Sequence, residues 1–581
     1  MAKKIAVGIQ DFEDIIKNNY YYIDKTSFIK EWWENGDAVT LITRPRRFGK
    51  TLNMSMVEQF FSVNYADRGD LFEGLTIWED EKYRELQGTY PVIFLTFADV
   101  KETDFETTAY QIRNIIKNQY EKYSFLQKSD VLSEAEKAFF KEMTFDVKRE
   151  NMSFSLKQLS EFLSRYYGKK VIILLDEYDT PMQEAYINGY WDELVVFTRS
   201  LFNATFKSNP YLERGLMIGI TFFKLEKFAK QTSNGSALAE TIFSDLNNLV
   251  VITTTSNSYA TSFGFTEEEV FESLDECGLG SEKEEVKYWY DGFSFGEYMD
   301  IYNPWSIINF LNKRKYDAYW ANTSSNRLVG KLIREGNKNI KADFEELLRD
   351  KSIQCPIDEQ IVYNQLDYNE TAIWSLLVAG GYLKVLSKER PELSKTGKRP
   401  KYELKLTNYE VKSMFINMVH DWFANAEATY GDFITSFLDG DIESMNEYMN
   451  KMSMKIFSYF DTGTDTEYSE PERFYHGLVL GLLTELDEEY ILRSNRESGL
   501  GRYDVIIEPR DKTDESKYAY ILEFKVRKRK EKNLEETVEN ALKQIEDKQY
   551  ATELVDRGVS ADRIRKYGFA FEGKKVLIGE G

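Results

Sequence analysis

A chain of 581 residues is too long for a single hydrophobic core, and its length predicts about three domains. With 42% hydrophobic, 15% aromatic and 30% charged residues, it is composed like a folded protein and not like a disordered segment. A net charge of −22 argues against a broad basic coat for nonspecific nucleic-acid binding, although an average of this kind leaves room for a local channel.

The stretch MAKKIAVGIQDFEDIIKNNY places Asp11, Glu13 and Asp14 where a signal peptide needs an apolar run, and no later apolar run approaches a membrane span. A cytoplasmic protein with no membrane partner is expected. The cysteines are Cys277 and Cys355 and the histidines His420 and His476, too few for a Cys/His zinc cluster. A catalytic metal would have to be held mainly by carboxylates.

From about residue 38, short apolar runs alternate with helical periodicity, the pattern of a parallel sheet covered by helices. The expected strands are Ala38 to Thr43, Pro91 to Phe97, Lys170 to Leu175, Gly215 to Thr221 and Leu249 to Thr253. Together they predict a three-layer α/β/α domain over 1–295.

The first strand runs into RPRRFGKT, Arg44 to Thr51, and then into the helical TLNMSMVEQFF. A P-loop needs this setting, because backbone N–H groups at a strand-to-helix turn surround phosphates, a lysine bridges them and a hydroxyl reaches Mg²⁺. Lys50 would contact the β- and γ-phosphates and Thr51 the magnesium, while Gly49 allows close backbone approach and Arg47 lies within the loop. The first position is Arg44 where the regular pattern has glycine. The strand KVIILLDEYD delivers Asp176, to hold magnesium through water, and Glu177, to polarise the attacking water. A chance GKT at a helix start and a capping pair after a strand are the plainer readings. Thr221 is a candidate γ-phosphate sensor, and Arg199 and Arg214 are weak candidates for an arginine finger.

The stretch 296–460 reads mostly helical, with a helix, a hairpin and a helix around Ala372 to Leu406 suggesting a winged-helix-like element. Such elements bind DNA or act as packing lids, so the fold alone does not decide. DTGTDTEYSEP, from Asp461 to Pro471, has the composition of a linker and opens the last domain, 461–581.

That domain should read α, three β, α and a last short strand near Val576: a helix from Glu472 to Leu486, strands near Tyr490 to Ser494, Tyr503 to Ile507 and Tyr518 to Val526, and a helix around Leu534 to Tyr550. Asp504 lies in GRYDVII, and Glu523 with Lys525 in AYILEFKV. Residues two apart on a strand share a face, so Glu523 and Lys525 should enter one site while Phe524 enters the core. Two carboxylates and a lysine there are what metal-dependent phosphodiester cleavage needs. Glu472 is a further candidate metal ligand, with His476 one turn on; Glu497, Gln544 and Tyr550 are weaker candidates. Lys525, Arg527, Lys528, Arg529, Lys530 and Lys532, with Arg493, Arg496 and Arg502, form a basic cluster suited to phosphates, or simply a solvated loop.

The segments YYYIDKTSFI, LITRPRRFGKTLNMSM, VIILLDEYDTP, IFSDLNNL, YNPWSIINFL, ERFYHGLVLGLL, SNRESGLGRYDV and ILEFKV carry a likeness that runs nearly end to end. On them the chain resembles bacterial AAA-ATPase-like proteins with a C-terminal PD-(D/E)XK nuclease-like domain. The resemblance implies a P-loop domain, a restriction-endonuclease-like domain, ATP at Lys50, Thr51, Asp176 and Glu177, and a nuclease centre at Asp504, Glu523 and Lys525. The family usually places an arginine directly after the threonine matching Thr221; here Phe222 and Phe223 follow, and a longer segment runs to Glu240. That departure bears on hydrolysis of ATP. The expected cofactors are ATP and Mg²⁺, or Mn²⁺ at the nuclease centre. The expected partners are ATP and nucleic acid, with homo-oligomerisation left open. The leading expectation is an ATP-regulated nuclease; the alternative is a nucleotide-switched DNA- or protein-binding module whose nuclease fold is silent.

Overall fold

A computed structural model gives the structure and describes residues 3–145, 149–221, 246–321, 326–358, 366, 369–389, 400–424, 430–458, 479, 483, 486, 489–494, 497–498, 501–502, 504–528, 530–572 and 575–581. The chain divides into two units, Met1–Leu332 with Ser352–Lys412, and Ile333–Lys351 with Ser413–Gly581. Among the described residues no helix is long and apolar enough to cross a membrane.

The first unit is built on β1 (Val39–Thr43), β2 (Val92–Thr96), β3 (Val171–Asp176), β4 (Leu212–Gly219) and β5 (Leu249–Ile252), in the order β2-β3-β4-β1-β5. All four pairings are parallel. Every residue of β1 and β3 is buried, as expected of central strands covered on both faces. Because β4 lies between β3 and β1, the loops leaving all three open on the same rim, where α/β sheets bind ligands.

Helix α1 (Lys50–Phe61) follows β1, α2 (Phe105–Lys122) follows β2, and α3 (Ser155–Tyr167) precedes β3. After β3 come α4 (Thr180–Asn188) and α5 (Trp191–Phe202). The fourth strand ends at Gly219, two residues before the expected Thr221, because the N–H groups of Ile220 and Thr221 are taken by the Asp179 carboxylate at 2.8 and 3.0 Å.

A small antiparallel sheet in the order β6-β8-β7 joins β6 (Phe265–Thr266), β7 (Phe293–Phe295) and β8 (Tyr298–Tyr302). Helix α6 (Glu267–Glu276) starts on a Thr266/Glu269 capping box, and α7 (Pro304–Lys313) on an Asn303 cap followed by proline. Helix α8 (Glu370–Ala379), hairpin β10 (Leu383–Lys388) and β11 (Lys401–Leu406), and helix α9 (Tyr409–Ala424) give the expected helix, hairpin and helix. A short strand absent from the sequence reading, β9 (Ile353–Pro356), pairs with β11; it ends on Pro356, which argues against a strand when read locally.

In the second unit, β12 (Tyr490–Ser494), β15 (Val505–Pro509), β16 (Ala519–Val526), β17 (Ile564–Glu572) and β18 (Lys575–Glu580) form one sheet in that order. The β16–β17 pairing alone is parallel, and a two-residue pair, β13 (Glu497–Ser498) with β14 (Gly501–Arg502), stands apart.

Strand β17 is the longest strand that the sequence reading missed: it opens on Ile564 followed by the charged Arg565 and Lys566 and has Gly568 at its middle, which reads as loop. Gly568 is there for packing, since a Cβ would meet Val538 O at 3.0 Å and Ala541 Cβ at 3.1 Å on α12 (Leu534–Asp547).

Two helices, α10 (Tyr430–Asp439) and α11 (Ile442–Ser458), contribute Phe433, Phe437, Met445, Tyr448 and Met449 to the core of this sheet. Asn446 and Asn450, one turn apart on α11, each donate to and accept from the β18 backbone, at Ile578 and Val576 respectively. Of the expected helix Glu472 to Leu486, the described residues Val479, Leu483 and Leu486 are buried in the same core. Glu472, His476 and the Asp461 to Pro471 linker lie outside the described residues, as do Phe222 and the segment to Glu240.

Candidate functional site

The phosphate loop of the first unit is fixed by its own side chains. Arg44, in the place of the first glycine, is fully buried and donates to the carbonyls of Thr43, Thr253, Ser258 and Tyr259 at 2.8 to 3.3 Å. Its guanidinium lies 4.5 Å from the Phe295 ring, and burial pushes its pKa down to about 9. This arginine therefore joins β1 to the turn after β5.

Phe48 is buried against Phe293 and Phe295, and Arg47, exposed and in the left-handed region, stacks 4.4 Å over Trp305. The carbonyl of Arg46 accepts from Trp320 Nε1 at 3.0 Å and Asn303 Nδ2 at 3.3 Å. Gly49, with φ 76°, makes the turn into α1.

Lys50 is buried, and its Nζ donates to the loop carbonyls of Arg44 and Pro45 at 3.1 and 2.8 Å; burial lowers its pKa. Thr51 Oγ1 donates to Asp176 Oδ2 at 2.8 Å. Burial pushes the Asp176 carboxyl up to about 6, against the pull of that hydrogen bond, and among the described residues its buried Oδ1 has no hydrogen-bond partner. A hydroxyl beside a carboxylate with an unsatisfied buried oxygen is an all-oxygen donor set that suits Mg²⁺.

Glu177 is held at φ 48°, a conformation that costs a non-glycine residue, and accepts from Thr180 Oγ1 at 3.0 Å. Asp179, which the sequence reading passed over, is buried and accepts at one oxygen from the backbone of Ile220 and Thr221 and from Thr221 Oγ1 at 3.2 Å. The hydroxyl of the sensor candidate Thr221 is thus bound to Asp179. The second aspartate of DEYD was the available signal. A Cβ on Gly219 would lie 2.6 Å from Tyr178 and 2.7 Å from Asp179, so this approach requires glycine.

Arg214 does not belong to this rim. It stands beside Gly215, which pairs with Val39 at the start of β1, stacks 4.3 Å over Trp33 and donates to the Trp32 carbonyl at 3.0 Å. Its place at the opposite end of the sheet removes it as an arginine finger acting within the chain. Arg199 lies on α5.

Behind the loop, the fully buried Glu410 accepts from Ser306 Oγ and from the N–H groups of Trp320 and Ala321. Burial pushes its carboxyl up to about 7. A carboxyl with a folded pKa above its unfolded value binds its proton more tightly when folded, so its contribution favours folding at low pH and declines as pH rises from about 4.5 to about 7. Asp176 and Asp291, raised to about 6 and 7, act in the same direction. The thermal midpoint of the first unit should fall between pH 5 and pH 7.5. Glu410→Gln should flatten that slope in melts read across the same range.

In the second unit, antiparallel pairing of Val505 with Leu522 sets Asp504 opposite Glu523. Asp504 Oδ2 accepts from the Phe524 N–H at 2.8 Å, and the Phe524 ring stacks on Phe569 in the core. Glu523 is buried, with Lys525 Nζ 3.5 Å from its Oε1. Lys525 Nζ also donates to Gln544 Oε1 at 2.6 Å, while Gln544 Nε2 donates to Glu523 Oε1 and lies 3.4 Å from the Tyr550 hydroxyl. The structure thus gathers Asp504, Glu523, Lys525 and Gln544.

Among the described residues no group of three or more His, Cys, Asp or Glu side chains could hold a metal, so the pair Asp504 and Glu523 is the donor set in view. Two hard carboxylates beside an ammonium group suit Mg²⁺ or Mn²⁺. Glu497 sits in β13, paired with Arg502. The basic cluster is partly neutralised, Arg527 by Glu572 and Arg493 by the buried Glu508, whereas Lys528, Lys530 and Lys532 are exposed and Arg529 lies outside the described residues.

A parallel sheet bearing a GKT loop and a strand-end aspartate is the architecture of a P-loop domain, and the five-stranded second sheet is that of a nuclease fold. Residues 6–229 match the family model of the predicted AAA-ATPases, and residues 470–581 match that of the PD-(D/E)XK nuclease superfamily. The chain carries an AAA-ATPase-like domain at its N-terminus and a PD-(D/E)XK nuclease superfamily domain at its C-terminus. It is also 25% identical over 417 residues to an uncharacterized protein in the vnfD 5' region of Azotobacter chroococcum mcd 1, across 71% of this chain and 69% of that protein.

Proposed function

We propose that this chain is an ATP-binding, metal-dependent nuclease that cleaves phosphodiester bonds of DNA or RNA under control of its nucleotide state. The observation that carries the reading is the meeting of Asp504, Glu523 and Lys525 at neighbouring strands, with Gln544 bonded to the last two.

Asp504 and Glu523 hold the divalent ion, with Glu472 as a further candidate ligand from a segment outside the described residues. When bound, that ion supplies an activated water and neutralises developing charge. Lys525 steadies the phosphate oxygen, and Gln544 keeps its ammonium group beside Glu523. In the first unit Lys50 and the backbone of the loop around Arg47 and Gly49 receive the phosphates, Thr51 and Asp176 hold Mg²⁺, and Glu177 orients water for hydrolysis. A cytoplasmic setting completes the reading.

The test is cleavage of single- and double-stranded DNA and RNA by purified protein with Mg²⁺ or Mn²⁺ and ATP. Asp504→Ala should abolish cleavage. Equal degradation by wild type and variant would overturn the proposal, and ATP-dependent binding without scission would favour the silent-fold alternative.

A further inference from the structure

Three arginines, Arg44, Arg46 and Arg47, lie within four consecutive loop positions, and their settings differ. Arg44 is buried among carbonyls and Arg47 lies exposed on Trp305. Arg46 is half-buried, and its Nη2 donates to Oε1 of Gln183 on α4 at 3.0 Å. The amide nitrogen of Gln183 is in turn 3.4 Å from Asp179 Oδ2, the oxygen that holds Ile220 and Thr221. One hydrogen-bonded chain therefore runs from the phosphate loop, through Arg46, Gln183 and Asp179, to the end of β4.

Trp320 and Asn303 clamp the Arg46 backbone through its carbonyl, while the side chain is tethered by a neutral amide. A guanidinium bonds more strongly to a charged phosphate oxygen than to an amide oxygen. A diphosphate is satisfied by the loop N–H groups and Lys50; a third phosphate extends toward the rim carboxylates, the side on which Arg46 is tethered.

Resting on the reading of the first unit as a nucleotide site, we propose that Arg46 distinguishes nucleoside triphosphate from diphosphate. Its guanidinium leaves Gln183 for the terminal phosphate, and the freed Gln183 relays the change to Asp179 and the end of β4.

The test is equilibrium binding, with Mg²⁺, of ADP and of the β,γ-imido analogue of ATP. Arg46→Gln should weaken the analogue about tenfold to a hundredfold. Affinity for ADP and the thermal midpoint should not change, and Arg46→Lys should recover part of the loss. Gln183→Ala, which removes the competing acceptor, should not weaken the analogue. A parallel loss of both nucleotides in Arg46→Gln, or no loss, overturns the assignment and leaves the nucleotide site standing. Wild-type protein that binds neither nucleotide overturns both.

Discussion

Exchanging Glu523 for glutamine is expected to slow metal-dependent cleavage by about a thousandfold or more without unfolding the protein. Glutamine keeps the size of the side chain and can still accept from Gln544, but it brings no charge to a cation that two carboxylates must share. Glu523 is buried on β16, but its partner Lys525 is partly exposed and keeps its bond to Gln544, so removing the charge should lower the thermal midpoint only modestly. Initial cleavage rates in Mn²⁺, measured beside thermal melts, separate chemistry from folding. A variant that cuts at the wild-type rate would remove Glu523 from the metal site.

Lys50→Ala should weaken ATP binding by about a hundredfold to a thousandfold, the scale of losing charge-assisted bonds to two phosphates. The same change removes the donor from the Arg44 and Pro45 carbonyls, which would cost about 1–3 kcal/mol if they stayed dry. Relief from burying an ammonium group offsets part of that cost. Calorimetric titration with Mg²⁺ and ATP, together with urea unfolding, reads both effects. Undiminished affinity would mean that the loop does not use this lysine.

What was legible in the sequence follows from range of interaction. The central strands β1 and β3 show themselves as apolar runs because burial on both faces is written into each of them locally. The placement of Glu523 and Lys525 on one side of β16 follows from the two-residue period alone. Contacts that depend on distant parts of the chain left little local trace. Trp320 and Asn303 reach the Arg46 carbonyl from more than 250 positions away. The burial of Glu410 beneath Ser306 and Trp320, and the use of Arg44 on the turn after β5, are set by tertiary packing that no nearby pattern announces. Asp179 reads as an ordinary residue following a strand, because its carboxylate is used by Ile220 and Thr221, the two residues after β4 and more than 40 positions away.

The two asparagines of α11 have a practical consequence for anyone dissecting the chain. They occupy hydrogen-bonding groups along the outer side of β18 that an incoming strand from another molecule would otherwise use. A fragment cut at residue 461, or at residue 470 where the nuclease match begins, would lose this helical guard and the aromatic residues beside it. It would present an open rim and a bare apolar face, inviting copies to aggregate edge to edge, so a well-behaved C-terminal fragment has to start before Tyr430.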